Sequence, residues 1–425
     1  MREMKDSGVA WIGEIPCDWK LKNIGSLFRV RNEKVNDADY PPLSVSKGGI
    51  VPQMENVAKS DANDNRKQVL INDFVINSRS DRKQSCGVSP LDGSVSLINT
   101  VLFSNSDRYI SLAYPNYLMK NYGFAEEFYR WGHGIVADLW TTRWQEMKKI
   151  LLPLPSVDEQ ERILEKISVD SEKIDILIAN QEAQIEKLKQ YKQSLITEVV
   201  TKGLNPDVEM KDSGVEWIGE IPKHWRIWRT KFLGKKMYKG AGITKEDVVL
   251  DGDTSCVRYG EIYTKYNHSF TECFSKTNHK NLSVLQYFSY GDILFAGTGE
   301  LPEEIGKNVV YLGKEKCLAG GDIIVLHHSQ NPSYLNYLLN SKYSQSQKSC
   351  SKAKLKVVHI SQTDIGNVYL PIAPIDEQNI IADFLDNQCA QIDKLIEIKQ
   401  SKIAKLNEYK KSLIYEYVTG KKEVV

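Results

Sequence analysis

The side chains whose type and spacing best suit chemistry here are basic residues on short polar turns, and that chemistry is anion binding. Arg79, Arg82 and Lys83 follow an apolar run, and Lys47 precedes Gly48-Gly49. In the second half Lys235, Lys236 and Lys239 stand before Gly240-Ala-Gly, Thr298 aligns with Arg79, Lys307 ends the run GELPEEIGK, and Lys352, Lys354 and Lys356 alternate. On loops such side chains reach phosphate oxygens, or guanine O6 and N7 in a major groove. Catalytic patterns are missing. Gly299–Lys307 has the wrong spacing for a phosphate loop and no Ser or Thr after the lysine. No Asn/Asp-Pro-Pro-Tyr/Phe word supports amino-methyl transfer. Pro206-Asp207 with Glu209-x-Lys211 is too compact for a metal-dependent nuclease, and Glu-x-Lys occurs again at Glu3–Lys5. His327 and His328 are neighbours on an expected strand and point to opposite faces, which makes them poor joint metal ligands. Trp131, Trp140 and Trp144 read as core residues rather than base-stacking platforms.

The elements that must hold these residues come in two copies. Met4–Trp19 (MKDSGVAWIGEIPCDW) and Met210–Trp225 (MKDSGVEWIGEIPKHW) agree at 13 of 16 positions. PLPSVDEQ at Pro153–Gln160 returns as PIAPIDEQ at Pro371–Gln378, and each is followed by a helical stretch that ends in a related word, LKQYKQSLITEVVT or LNEYKKSLIYEYVT. Between these fixed parts lie two divergent segments, about 20–152 and 226–370, whose alternating apolar residues and Gly/Asn/Asp turns read as strands with a few helices. A faint match remains: Asp73–Arg79 lines up with Asp292–Thr298, Gly87 with Gly306, and both segments carry Pro-x-Tyr-Leu near their ends.

The formal net charge of +1 conceals a division. The divergent segments hold eighteen Lys and Arg against fourteen Asp and Glu, and nineteen against thirteen, while the remainder of the chain is acidic. A basic surplus confined to the divergent modules is where a polyanion would be gripped. Seven scattered cysteines without a CxxC pair argue against a disulfide framework or zinc site. No apolar run approaches a membrane span, and the N-terminus lacks a signal-peptide core. A soluble, cytoplasmic protein is expected.

After each DEQ, seam residues recur in steps of four and three. The first ladder is Ile163, Ile167, Asp170, Ile174, Ile178, Gln181, Ile185, Leu188, Lys192 and Leu195. The second is Ile381, Leu385, Gln388, Ile392, Ile396, Lys399, Ile403, Leu406, Lys410 and Leu413. About five heptads of this kind predict a coiled coil. Parallel pairing would oppose Lys192 and Lys410. Antiparallel pairing centred on Gln181 and Lys399 would instead set Asp170 beside Lys410 and Lys192 beside Gln388, so an antiparallel coil with a pseudo-twofold axis is expected.

The whole arrangement resembles the specificity subunit of type I restriction–modification systems. The resemblance rests on SGVxWIGEIPxxW at Ser7–Trp19 and Ser213–Trp225 and on the two PxxxxDEQ words with their helices. It implies an α+β chain of two mixed α/β target-recognition domains (1–152 and 204–370, with signature peptides at 4–19 and 210–225) separated by helical regions at 153–203 and 371–425. It further implies double-stranded DNA read as a bipartite, asymmetric site, and no catalysis on this chain. The implied partners are two DNA methyltransferase (modification) subunits and restriction (motor-nuclease) subunits, with AdoMet, ATP and Mg2+ belonging to them. The specificity chain of a type IIB-like enzyme, or a coiled-coil scaffold without a DNA role, are the alternatives.

Overall fold

The structure is a computed structural model that describes residues 2–53, 65–105, 109–135, 140–278, 284–299, 305–349 and 358–424. Lys352, Lys354 and Lys356 lie outside the described residues. Two compact units are formed, one from Met1–Glu182 with Gln400–Val425 and the other from Ala183–Lys399. The unit boundaries fall inside the two long helices, Val157–Lys202 and Ile375–Val418. Each unit therefore contains one divergent module, the beginning of the helix that follows it, and the end of the other helix.

The first unit opens with the signature hairpin, Met4–Asp6 against Glu14–Pro16. Lys20–Asn23 then pairs with Leu151–Leu154, so the first and last strands of the module close on each other. Inside, one sheet runs Cys86–Val88, Phe74–Asn77, Asn99–Ser104, Phe28–Val30, and a smaller one runs Gly93–Val95, Arg66–Val69, Lys34–Val35. The second unit repeats this plan. Its hairpin pairs Met210–Asp212 with Glu220–Pro222 in the same register, and Arg226–Arg229 pairs with Tyr369–Ile372. Its main sheet runs Gly234–Lys239, Ile323–His328, Ile293–Ala296, Asn308–Tyr311, Ser269–Phe270. Four strands thus follow the same order in both modules, with Phe74–Asn77 standing where Ile293–Ala296 stands. The aspartate before that strand does the same job twice. Asp73 accepts from the Leu70 backbone N–H and the Arg31 guanidinium, and Asp292 accepts from the Ser289 N–H while facing His327 Nδ1 at 2.6 Å.

The DEQ words do more than start helices. Acidic side chains fill the first turn of each helix, where the dipole favours them. Gln160 is fully buried; its amide donates to Tyr109 O and Pro155 O, and its carbonyl oxygen accepts from Ser111 N. Gln378 repeats this arrangement with Ala373 O, Gln330 Oε1 and Asn331 N. Each glutamine staples the loop ahead of the Pro-x-Tyr-Leu helix to the helix start. Glu159 meets Arg2, and Glu377 accepts from Trp225 Nε1 at 2.9 Å. Gln378→Leu leaves Asn331 N and Ala373 O without partners, so a loss of about 2–4 kcal/mol is expected. Urea denaturation of the purified chain checks it, and an unchanged midpoint would refute the staple.

Both long helices end on a glycine with positive φ, Gly203 at 76° and Gly420 at 75°. A Cβ on Gly420 would lie 2.3 Å from Pro16 Cδ, so the end of the second long helix sits hard against the first signature peptide. Tyr415 OH donates to Trp11 O at 2.7 Å in the same place. In the second unit a Cβ on Gly203 would lie 3.4 Å from Trp225 Cζ2, so that helix end also packs on its signature peptide.

Within each unit the helix segments run antiparallel. In the first, Tyr417 OH donates to Asp170 at 2.8 Å and Lys410 meets Asp175 at 2.7 Å. In the second, Lys192 meets Asp393 at 2.6 Å and Lys399 donates to Gln184. The expected register is corrected here: Lys410 pairs with Asp175 instead of Asp170, Lys192 with Asp393 instead of Gln388, and Lys399 faces Gln184 instead of Gln181. The heptad ladder alone tolerates such a slip. The docking of each helix end on a signature peptide does not, and it sets the register. Every seam residue of both ladders is buried or half-buried.

Candidate nucleic-acid interface

In the first module the strand Phe74–Asn77 delivers the chain into a short 3-10 turn, Ser80–Arg82. Arg79 forms a bridge with Thr141, and Thr142 N donates to Ser78 O at 3.0 Å. These bonds bring Arg143 beside Arg79 although 63 residues separate them in sequence. Together with Lys67 and Asn32 they line a groove of ≈500 Å³ that has no carboxylate among the described residues of its wall. Arg79, Arg143 and Asn32 are exposed. Lys67 donates to Asn99 O at 2.7 Å, and burial pulls its pKa below the ordinary lysine value. A concave, cation-lined wall that includes Thr141 and Trp144 can hold phosphate oxygens and present donors to base edges.

The other first-module candidates are distributed differently. Arg82 meets Asp81 at 3.5 Å, and Lys83 meets Glu126 at 2.8 Å while lying 4.3 Å from the Tyr129 ring. Both are partly neutralised, so Arg79 is the strongest anion contact of the three. Lys47 sits in the turn between Leu43–Ser46 and Gly49–Pro52 and lines another groove. Trp131 donates to Glu127 and Trp140 to Tyr129 O, whereas Trp144 packs on the core and also faces the basic groove.

In the second module Lys235, Lys236 and Lys239 are on a strand rather than a loop, which corrects the sequence reading. Gly234–Lys239 is the edge of its sheet and carries a register shift between Gly234 and Lys236. Lysines there also discourage edge-to-edge pairing. Lys236 lies 4.7 Å from the Tyr238 ring, and Lys239 meets Asp322 at 3.2 Å. Burial pushes the Tyr238 hydroxyl up to about 12. Thr298 Oγ1 contacts His359 Nδ1 at 3.1 Å, and half-buried Lys307 donates to Tyr266 O at 3.4 Å. Next to it, fully buried Lys348 donates to Gly306 O and Leu339 O and anchors that backbone. Partial burial pulls half-buried His328 down to about 4, while His327 faces Asp292. Sequence reasoning missed Arg143 and Lys67. Arg143 reaches Arg79 only through the long-range Arg79–Thr141 bridge, and Lys67 lies on a strand of the smaller sheet.

Among the described residues no group of three or more His, Cys, Asp or Glu could hold a metal ion, and no helix is long and apolar enough to cross a membrane.

Comparison with known proteins agrees with this architecture. Residues 239–408 match the family model described as type I restriction modification DNA specificity domain. A putative type I restriction enzyme MjaX specificity subunit of Methanocaldococcus jannaschii is 21% identical over 441 residues, spanning 96% of this chain and 95% of that protein. The type I restriction enzyme MjaVIII specificity subunit of the same organism is 26% identical over 287 residues, 64% of this chain and 62% of that one. A chain solved in a study of complex assembly and conformational transition of the type I R-M system superposes with a TM-score of 0.67 at 16% identity, covering 95% of this chain and 98% of that chain, so the fold is shared. Residues 239–408 thus carry a type I restriction modification DNA specificity domain, and the chain is similar from end to end to a putative type I specificity subunit.

Proposed function

We propose that this chain is the DNA-reading subunit of a type I restriction–modification complex, with each module reading one half of a bipartite, asymmetric site. The observation that carries the reading is the repetition of one strand order in two modules whose exposed side chains differ. A shared scaffold supplies the same way of meeting a duplex; different side chains supply different base preferences. The basic groove with Arg79, Arg143 and Lys67 is the proposed contact surface of the first module. The edge strand Gly234–Lys239 with Lys235 and Lys236, together with Lys307, is proposed for the second. Residues 352, 354 and 356 remain candidates from their charge alone.

Catalysis belongs to partners in this reading: two modification subunits using AdoMet, and restriction subunits using ATP and Mg2+. The helices are the ruler between half-sites and the platform for those partners. Single-molecule sequencing of methylated bases in a host carrying the complex tests the proposal. It predicts methylation in a two-part motif with an unread gap. Methylation within one uninterrupted motif, or none that depends on this chain, would refute it.

The groove has its own test. Arg79→Glu with Arg143→Glu is expected to weaken binding of the assembled complex to its site by about 100-fold or more at 0.1 M salt. It should also lower the steepness of log K against log salt by about 2, one for each lost phosphate contact. Fluorescence anisotropy over a salt series measures both. Unchanged affinity at low salt would exclude this groove.

A further inference from the structure

The first unit carries a second groove, of ≈1270 Å³, that shares no lining residue with the basic one. Its wall includes Tyr117, Tyr122, Ile414 and Tyr415, and Lys47 and Lys120 stand in it as well. Tyr122 is 68% exposed. Lys411 of the same wall is paired with Glu408 on its own helix. Lys47 and Lys120 make no ion pair among the described residues. The groove is thus largely apolar, with Glu408 tied to Lys411 and two cations unpaired among the described residues.

The duplicated unit shows what normally fills this position. Aligning LKQYKQSLITEVVT with LNEYKKSLIYEYVT places Gln193 and Thr197 where Lys411 and Tyr415 stand. In the second unit Gln193 Nε2 donates to Asn340 O at 3.1 Å, and Lys342 N donates to Thr197 Oγ1 at 3.2 Å. The module reaches the long helix there because its Pro-x-Tyr-Leu helix extends over Pro332–Asn340. In the first unit the corresponding helix stops at Leu118 after Pro115–Leu118, and the next begins at Tyr122. The helix is five residues shorter there and the next helix begins three residues sooner after its first proline, and the groove is lined by the connection between them at Lys120 and Asn121.

We propose that this groove seats a short amphipathic segment of a partner protein, its apolar side chains on Tyr117, Tyr122, Ile414 and Tyr415 and its carboxylates at Lys47 and Lys120. The volume exceeds the roughly 300–1,000 Å³ typical of small-molecule sites. A mainly apolar concave wall with two lysines is a poor match for a convex duplex, whose affinity comes chiefly from phosphate contacts. A helix laid in a groove by its apolar face, with tyrosines as anchors, matches both the wall and the charges. Because the second unit fills its own counterpart, the partner engages the two units unequally.

This inference rests on the proposed assembly, and its test uses the complex reconstituted from purified modification and restriction subunits with site DNA. Tyr122→p-benzoylphenylalanine is irradiated in the full-length chain, and Lys342→p-benzoylphenylalanine marks the filled counterpart. The expected result is a crosslink from position 122 to an acidic, apolar-rich segment of a partner subunit, with at least tenfold less from position 342. Lys47→Glu with Lys120→Glu should lower the yield at 122 about tenfold. A crosslink to DNA, to a second copy of this chain or to a basic segment overturns the inference. So does no crosslink in a complex that assembles and protects its site. Subunits that fail to assemble at all would overturn the functional reading, and this inference with it.

Discussion

Replacing residues 20–152 with the first module of another family member is expected to change one half of the methylated motif and leave the other half intact. The junctions favour such an exchange, because Lys20–Asn23 and Leu151–Leu154 pair with each other and close the module at its base. The parts that hold the long helices lie outside the exchanged segment: the signature hairpin, buried Trp19 and buried Gln160. Each mismatched base pair costs about 1–3 kcal/mol. Losing even two read pairs therefore lowers affinity for the original site by about 2–6 kcal/mol, or about 30-fold to more than 10,000-fold. Methylated-base sequencing of a host carrying the hybrid reads the outcome directly. Bases altered in both halves would mean that the modules do not read independently.

Removing one matched heptad from each long helix should shorten the preferred gap between half-sites by about three base pairs. Deleting 176–182 together with 403–409 keeps the Asp175–Lys410 and Lys192–Asp393 pairs and brings Ile185 and Leu188 to the places of Ile178 and Gln181. Seven residues at 1.5 Å each remove about 10 Å of rod, and two turns of a 3.5-residue seam keep its face toward the partner helix. At 3.4 Å per base pair that distance is about three pairs. Three pairs also rotate the second half-site by about 100° around a duplex of about 10.5 pairs per turn. Weaker binding should therefore accompany the shorter gap. Binding selection from a pool of sites with varied gaps measures both effects. An unchanged preferred gap would eliminate the helices as the ruler.

Much of this molecule was legible without coordinates because its information is repeated or periodic. Two copies of MKDSGVxWIGEIPxxW and of PxxxxDEQ declare a duplication, and a four-three ladder declares a helical seam, since both are properties of neighbouring residues. Antiparallel pairing followed from the lysine clash that parallel pairing would create. Register did not follow. Lys410 reaches Asp175 because Gly420 is seated against Pro16 at the helix end, a contact between residues about 400 positions apart. Nor did the role of Gln160 and Gln378, whose partners are loop carbonyls and N–H groups invisible to any local pattern. Lys235, Lys236 and Lys239 sit between glycines that suggest a loop, yet pairing with Ile323–His328 makes them an edge strand. Periodicity and repetition determined which elements exist and how many times. Only the tertiary structure decided which side chains meet, because Arg79 and Arg143 become neighbours through a long-range backbone bridge and an open groove lies beside a helix that stops short.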